Sequence, residues 1–181
     1  MGMRVSFDLD DDDLQHFRLV MRAARHSVQR ISPEDVVAAA ESLLASVGRE
    51  KVPSFVGERL ARLKIMIDML TDHEWRLPKK DTGRVLNALA YFTDPEDLIP
   101  DHVPGIGFLD DAIMIELVVR ELRHEIEAYE DFCEYRRNQP PVRGIKAKST
   151  DLTREGWLDR RRKALQERMR RRRRASPNRI F

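Results

Sequence analysis

Four carboxylates fall within one short stretch: Asp97 and Asp101 in Asp-Leu-Ile-Pro-Asp, then Asp110 and Asp111 in Leu-Asp-Asp-Ala. Carboxylate oxygens are the hard ligands that Mg²⁺ and Ca²⁺ take, so a divalent-cation site, and with it a metal-dependent enzyme, is one reading of these residues. Their spacing matches no calcium-loop pattern, and no cofactor other than Mg²⁺ or Ca²⁺ is implied. The structural reading is simpler. Pro100 and Pro104 restrict the backbone and remove two N–H donors, while Gly105 and Gly107 permit positive φ, which predicts a rigid reversal between two packed helices. Asp110 and Asp111 would then open the following helix, capping its free N–H groups or pairing with Arg84 or Arg120. A partner-binding corner is the third reading.

Other constellations offer less chemistry. Glu121 and His124 share one helical face, as in di-iron carboxylate bundles, but such sites need two of these motifs and two further glutamates. Asp13 and His16 are the nearest second pair, with aspartate in place of glutamate. Cys133, the only cysteine, continues an apolar stripe and has no histidine within a helical turn, which describes a core thiol. A single cysteine excludes an intramolecular disulfide framework and fits a reducing compartment. No G-x-S-x-G, P-loop or H-E-x-x-H occurs. No catalytic residue or small-molecule substrate is identified, and an enzyme is the less favoured class.

The strongest signal is basic. Arg160, Arg161, Arg162 and Lys163 precede Arg170, Arg171, Arg172, Arg173 and Arg174, with Asp159 and Glu167 as the only acids from 159 to 174. Arginine forks bind phosphate bidentately, so an anionic membrane surface or an RNA backbone is the expected partner, with an unknown protein partner also open. Few aromatics are interleaved, which argues against base stacking. The competing expectation is docking of this segment on the protein's own acids. From 1 to 142 there are 18 basic and 27 acidic residues, and from 143 to 181 there are 15 and 4, so a chain of formal charge +2 divides into an acidic body and a basic arm.

The elements that must position these residues read as helices throughout. Leu14, Phe17, Met21, Ala24, Val28 and Ile31 follow helical spacing behind the acids Asp10 to Asp13. Ser32-Pro33-Glu34-Asp35 is close to a capping box and starts a second helix with Val36, Ala40, Leu43, Leu44 and Val47 inward, closed by Gly48. A third starts near Pro53 with Val56, Leu60, Leu63, Ile67 and Leu70 on one face. A fourth spans Lys79 to Thr93, with Trp75 and Leu77 pinning its connection and Asp94-Pro95 ending it. From Asp110 to about Arg137 no glycine or proline interrupts a stripe of Ile115, Val119, Leu122, Ile126, Tyr129 and Cys133, which predicts one long central helix. The fold class is all-α: a compact bundle of about five helices with a peripheral, loosely attached basic C-terminal helix. The domain expectation is a helical body at 1–137, a Pro/Gly linker at 138–150, and a basic, helical or partly disordered tail at 151–181.

Asp97-Leu-Ile-Pro100-Asp101, Val103-Pro104-Gly-Ile-Gly107 and Leu109-Asp110-Asp111-Ala112, with flanking helices over 90–119, resemble the YkvA-like family of bacterial domains of unknown function. Val103 stands where isoleucine is more usual, and His102 where the family is apolar or variable. The resemblance implies small helical proteins, many described as membrane proteins, and no established chemistry. A spanning helix needs about 20 mostly apolar residues. Asp101, His102, Asp110, Asp111 and Glu116 interrupt the stretch from Leu98 to Val119. The start of the chain also lacks the charge and apolar order of a secretory signal. The expectation is therefore a cytoplasmic, non-enzymatic interaction protein, peripheral to the membrane through its tail, with an integral membrane protein as the family-derived alternative.

Overall fold

The computed structural model describes residues 8–27, 32–47, 52–93, 108–138 and 154–175, all in helices or the turns that join them. Among the described residues seven α-helices and one 3-10 helix make an all-α bundle, and no strand occurs. Helix α1 is Asp11–Ser27, α2 Pro33–Val47, α3 Ser54–Thr71 and α4 Lys79–Ala88. The chain continues as a 3-10 helix at Leu89–Thr93, then α5 Leu109–Glu121, α6 Arg123–Arg137 and α7 Arg154–Ala175.

Local chemistry accounts for the helix starts. The Asp10 carboxylate accepts from Asp12 N and Asp13 N, both at 2.9 Å, while Asp10 N donates to Asp13 Oδ2 at 3.2 Å. Ser32 caps α2 through Asp35 N at 3.1 Å and donates back to Asp35 Oδ2 at 2.8 Å. Both pairs satisfy donors that a helix leaves free at its N-terminus. Inward residues follow the expected stripes: Met21, Ala24, Val36, Ala40, Val56, Leu60, Leu63 and Ile67 are buried, and Trp75 is fully so.

The 3-10 helix is the hub. Helices α1, α2, α4 and α5 all pack against it, and Leu89, Ala90 and Tyr91 are buried there. The tighter winding closes α4 short of the fifteen-residue helix that its stripe predicted, with Thr93 Oγ1 donating to Ala90 O at 2.7 Å.

Two expectations need correction. The long central helix is two helices, broken at Leu122, whose φ of −95° and ψ of 13° leave the helical basin. Backbone hydrogen bonds still cross the break, from Leu122 N to Val118 O and from Ile126 N to Leu122 O, both at 2.9 Å. The halves serve different partners: α5 packs chiefly on α3, whereas α6 packs chiefly on α7. The C-terminal helix lies at the edge of the bundle but is packed rather than loosely attached, because Leu158, Leu165 and Met169 are buried against α6. Asn138 closes α6. Residues 139–153, most of the expected linker, lie outside the described residues.

Candidate functional site

The acidic corner is only partly described. Asp97, Pro100, Asp101, Pro104 and Gly107 lie outside the described residues, so the four carboxylates cannot be placed together. Asp110 and Asp111 sit in the first turn of α5 and are 1% and 4% exposed, with Tyr91 OH donating to Asp110 Oδ2 at 3.3 Å. The N-cap position is Phe108 and makes no side-chain cap. Arg84 is engaged elsewhere, as described below. Among the described residues no group of three or more His, Cys, Asp or Glu side chains is placed to hold a metal ion. Glu121 and His124 diverge, with Glu121 held by arginines and His124 buried beside Arg123, whose Nε donates to His124 Nε2 at 3.3 Å.

The tail residues divide by direction. Arg161 stacks over the Tyr135 ring at 5.2 Å, and Arg162 donates to Glu74 O at 2.9 Å while pairing with Asp159, which also takes Lys163. Arg168 pairs with Asp131, and Arg172 with Glu127 at 2.7 Å. Arg173 bridges two buried carboxylates, Asp81 Oδ1 at 2.8 Å and Glu125 Oε1 at 2.6 Å. Arg160 lies on the exposed face of α7. Arg171 and Arg174 are exposed and have no ion-pair partner among the described residues. Much of the arm's charge is thus met by the body's own acids.

Arg173 closes a network that joins five helices. Glu125 Oε1 also accepts from Arg84 Nε at 3.0 Å, and Arg84 Nη2 donates to Glu121 O at 3.2 Å. Glu121 Oε2 holds Arg25 at 2.6 Å, and Arg25 Nε reaches Asn87 O at 3.2 Å. Arg170 Nε stands 3.8 Å from Asp81 Oδ2. Asp81 and Glu125, 2% and 0% exposed, are therefore buried charges with partners. Burial opposes the charge on Arg173, but its hydrogen bonds to Glu125 and Asp81 outweigh that and raise its pKa.

This network borders a groove of about 800 Å³ between α4 and the last turns of α7. Seven basic side chains line it against two acidic ones, Asp81 and Glu121. Lys79 and Lys80, at the start of α4, are exposed and have no partner among the described residues. Sequence reasoning missed Lys79, Lys80, Asp81 and Glu125. The Lys-Lys-Asp opening of a helix, with cations at its positive end, could have drawn attention to the first three, and no sequence signal marked Glu125.

A second brace fixes the turn that feeds α4. Asp72 Oδ1 accepts from Glu74 N at 2.8 Å and Trp75 N at 3.1 Å, and Asp72 Oδ2 meets Tyr129 OH at 3.0 Å and Arg136 Nη1 at 2.8 Å. Burial alone would raise the Asp72 pKa, but the two backbone N–H groups, Arg136 and Tyr129 together lower it. Burial pushes the Tyr129 hydroxyl up, with Cys133 and Asp72 adding to the shift. Gln166 Nε2, on α7, donates to Trp75 O at 3.0 Å, so α7 clamps the same turn from outside.

The described residues form a helical bundle with a basic groove between α4 and α7. Residues 84–117 match a family described as "Protein of unknown function (DUF1232)". "Uncharacterized membrane protein YkvA" of Bacillus subtilis (strain 168) is 40% identical over 43 residues, which cover 24% of this chain and 41% of that relative. The resemblance to the YkvA-like family rests on a segment running from α4 into α5, and the chain matches less than half the length of that relative. No solved structure matches. No described helix is long and apolar enough to cross a membrane.

Proposed function

We propose that this is a non-enzymatic interaction protein that attaches peripherally to the anionic cytoplasmic face of a membrane. The observation that carries the reading is a groove where cations are left over after the internal pairs are made, Lys79 and Lys80 on α4 and Arg174 on α7, with Arg171 exposed on the same last turns of α7. Arg–phosphate contacts are bidentate and need no apolar insertion, which suits a bundle whose described helices include no candidate span. The relative's description as a membrane protein supports the same reading. An anionic surface attracts such a cluster with about 1 kcal/mol per Lys or Arg close to it, and salt weakens the attraction.

The test is cosedimentation with phosphatidylglycerol vesicles. Binding should fall steeply as salt rises, and should fall again in an Arg171→Ser, Arg174→Ser variant that keeps every internal ion pair. Recovery of the protein only in detergent, with salt-resistant association, would establish the integral-membrane alternative. Binding to RNA with none to vesicles would replace the membrane by a nucleic-acid backbone. Addition of Mg²⁺, Ca²⁺ or a chelator should leave the melting temperature unchanged, and a large metal-dependent rise would revive the acidic-corner enzyme.

A further inference from the structure

We propose that the groove between α4 and the C-terminal turns of α7 is a phosphate-binding site, its ligand a compact, multiply charged phosphate gripped between Lys79 and Lys80 on one wall and Arg170 and Arg174 on the other. The inference deepens the membrane reading, and rests on it, by naming the phosphate of a headgroup as what the basic edge holds.

Charge carries the argument furthest. Both acids that line the groove are already engaged, Asp81 by Arg173 at 2.8 Å and Arg170 at 3.8 Å, Glu121 by Arg25 at 2.6 Å and Arg84 at 3.9 Å. Lys79, Lys80 and Arg174 line the same concavity with no partner among the described residues. A concave surface with low-dielectric walls and one sign of charge concentrates an anion more strongly than the same charges spread over a convex face.

The local sequence of α4 points the same way. Lys79 and Lys80 occupy the first turn, where the helix dipole penalises cations, and Pro78 makes no side-chain cap. Asp81, the one acid of that turn, is turned inward to Arg173 and Arg170. An anion beside these lysines would offset that penalty, and such local conflicts concentrate at functional sites. Space is available, since a Cβ added at Gly83, on the groove wall, would meet nothing within 4 Å. The volume of about 800 Å³ is ample for a diphosphate and falls within the range of about 300–1,000 Å³ typical of ligand sites.

Calorimetric titration of the full chain with inorganic pyrophosphate, at constant ionic strength, tests the site. Saturable binding of one anion per chain is expected, weakened at least about tenfold in a Lys79→Gln, Lys80→Gln variant whose melting temperature is unchanged. No saturable binding, or binding that the lysine variant keeps, would overturn the proposal. Vesicle cosedimentation then separates the sources. Competition by pyrophosphate, with the same lysine dependence, assigns the groove to a lipid headgroup, and vesicle binding indifferent to both assigns it to a free phosphate anion. Pyrophosphate binding with no vesicle binding would sink the membrane reading and leave the site standing. Vesicle binding with no pyrophosphate binding would do the reverse. Association only with long RNA, and with no pyrophosphate effect, would mean an extended backbone contact and no groove site.

Discussion

Glu125 has no exposed surface, and its charge is held by Arg84 and Arg173 from two different helices. Breaking a buried pair costs far more than the pair contributes, because the remaining charge is stranded. Arg173→Ala should therefore destabilise the fold by about 3–5 kcal/mol in denaturant titrations, whereas Arg174→Ala, one residue on, should change little. His124 gives a pH signature. Burial first, then Arg123 and Arg172, lower its pKa below 6.5 against the opposing pull of Glu127 and Glu125. The unfolded chain then takes up a proton more readily than the folded one, so the contribution is full above pH 6.5 and is lost as pH falls through the depressed folded value. Between about pH 7 and 5 the wild type should lose stability that a His124→Asn variant does not lose. Gly57 sits inside α3 with open space where a Cβ would go, so Gly57→Ala should add about 0.5–1 kcal/mol, read as a higher unfolding midpoint. Residue identities in the caps were legible from sequence, since Ser32 and Asp35 make the bonds their types predict. Asp81 and Glu125 were not, because an acid on the flank of an apolar stripe looks the same whether it meets water or an arginine 92 or 48 residues away.

At the scale of elements, the turn from Asp72 to Pro78 is the joint between α3 and α4. Arg76 there has a φ of 49°, a left-handed conformation that favours glycine, so Arg76 is held by what surrounds it. Asp72 supplies that hold. Its lowered pKa means its contribution is present above pH 3.8 and is lost as pH falls through the still lower folded value. An Asp72→Asn variant should be less stable at neutral pH and should lose that part of the acid dependence, measured by unfolding at stepped pH. Helix α7 has its own test: Leu165→Ala should cost about 2–5 kcal/mol, as for a buried core leucine. The spacing of apolar residues marked the helical stretches, though not their number, because burial on one face leaves a periodic trace. It did not show the break at Leu122, where the stripe runs on unbroken and only the different demands of α3 and α7 bend the chain. Nor did it show how firmly α7 docks, since the partners of its arginines are set by tertiary structure.

For the whole molecule, the division of charge between body and arm is largely resolved internally. Arg162, Arg168, Arg172 and Arg173 each meet an acid or a carbonyl of the body, while Lys79, Lys80 and Arg174 share one groove with no partner among the described residues. The composition made the asymmetry plain, but the half of the groove wall that α4 provides came only from the fold. Removal of residues 139–181 should therefore not leave the stable fragment that the Pro/Gly stretch suggests. It strips Leu165, Met169 and Gln166 from the Trp75 turn and α6, and takes Arg173 from two buried carboxylates. The truncated chain should melt well below the full one and show a loosened Trp75 environment by fluorescence.

Arg173 follows Asp81 by 92 residues and Glu125 by 48. During synthesis both acids are made long before this guanidinium, so until α7 emerges Glu125 has only Arg84 and Asp81 has neither of its arginines. The buried network is therefore completed only once α7 has been made and docked. A chain cut before residue 170 would keep Glu125 paired through Arg84 but would strand the buried Asp81 without a cation, so an unfinished α7 weakens α4, far back in the sequence.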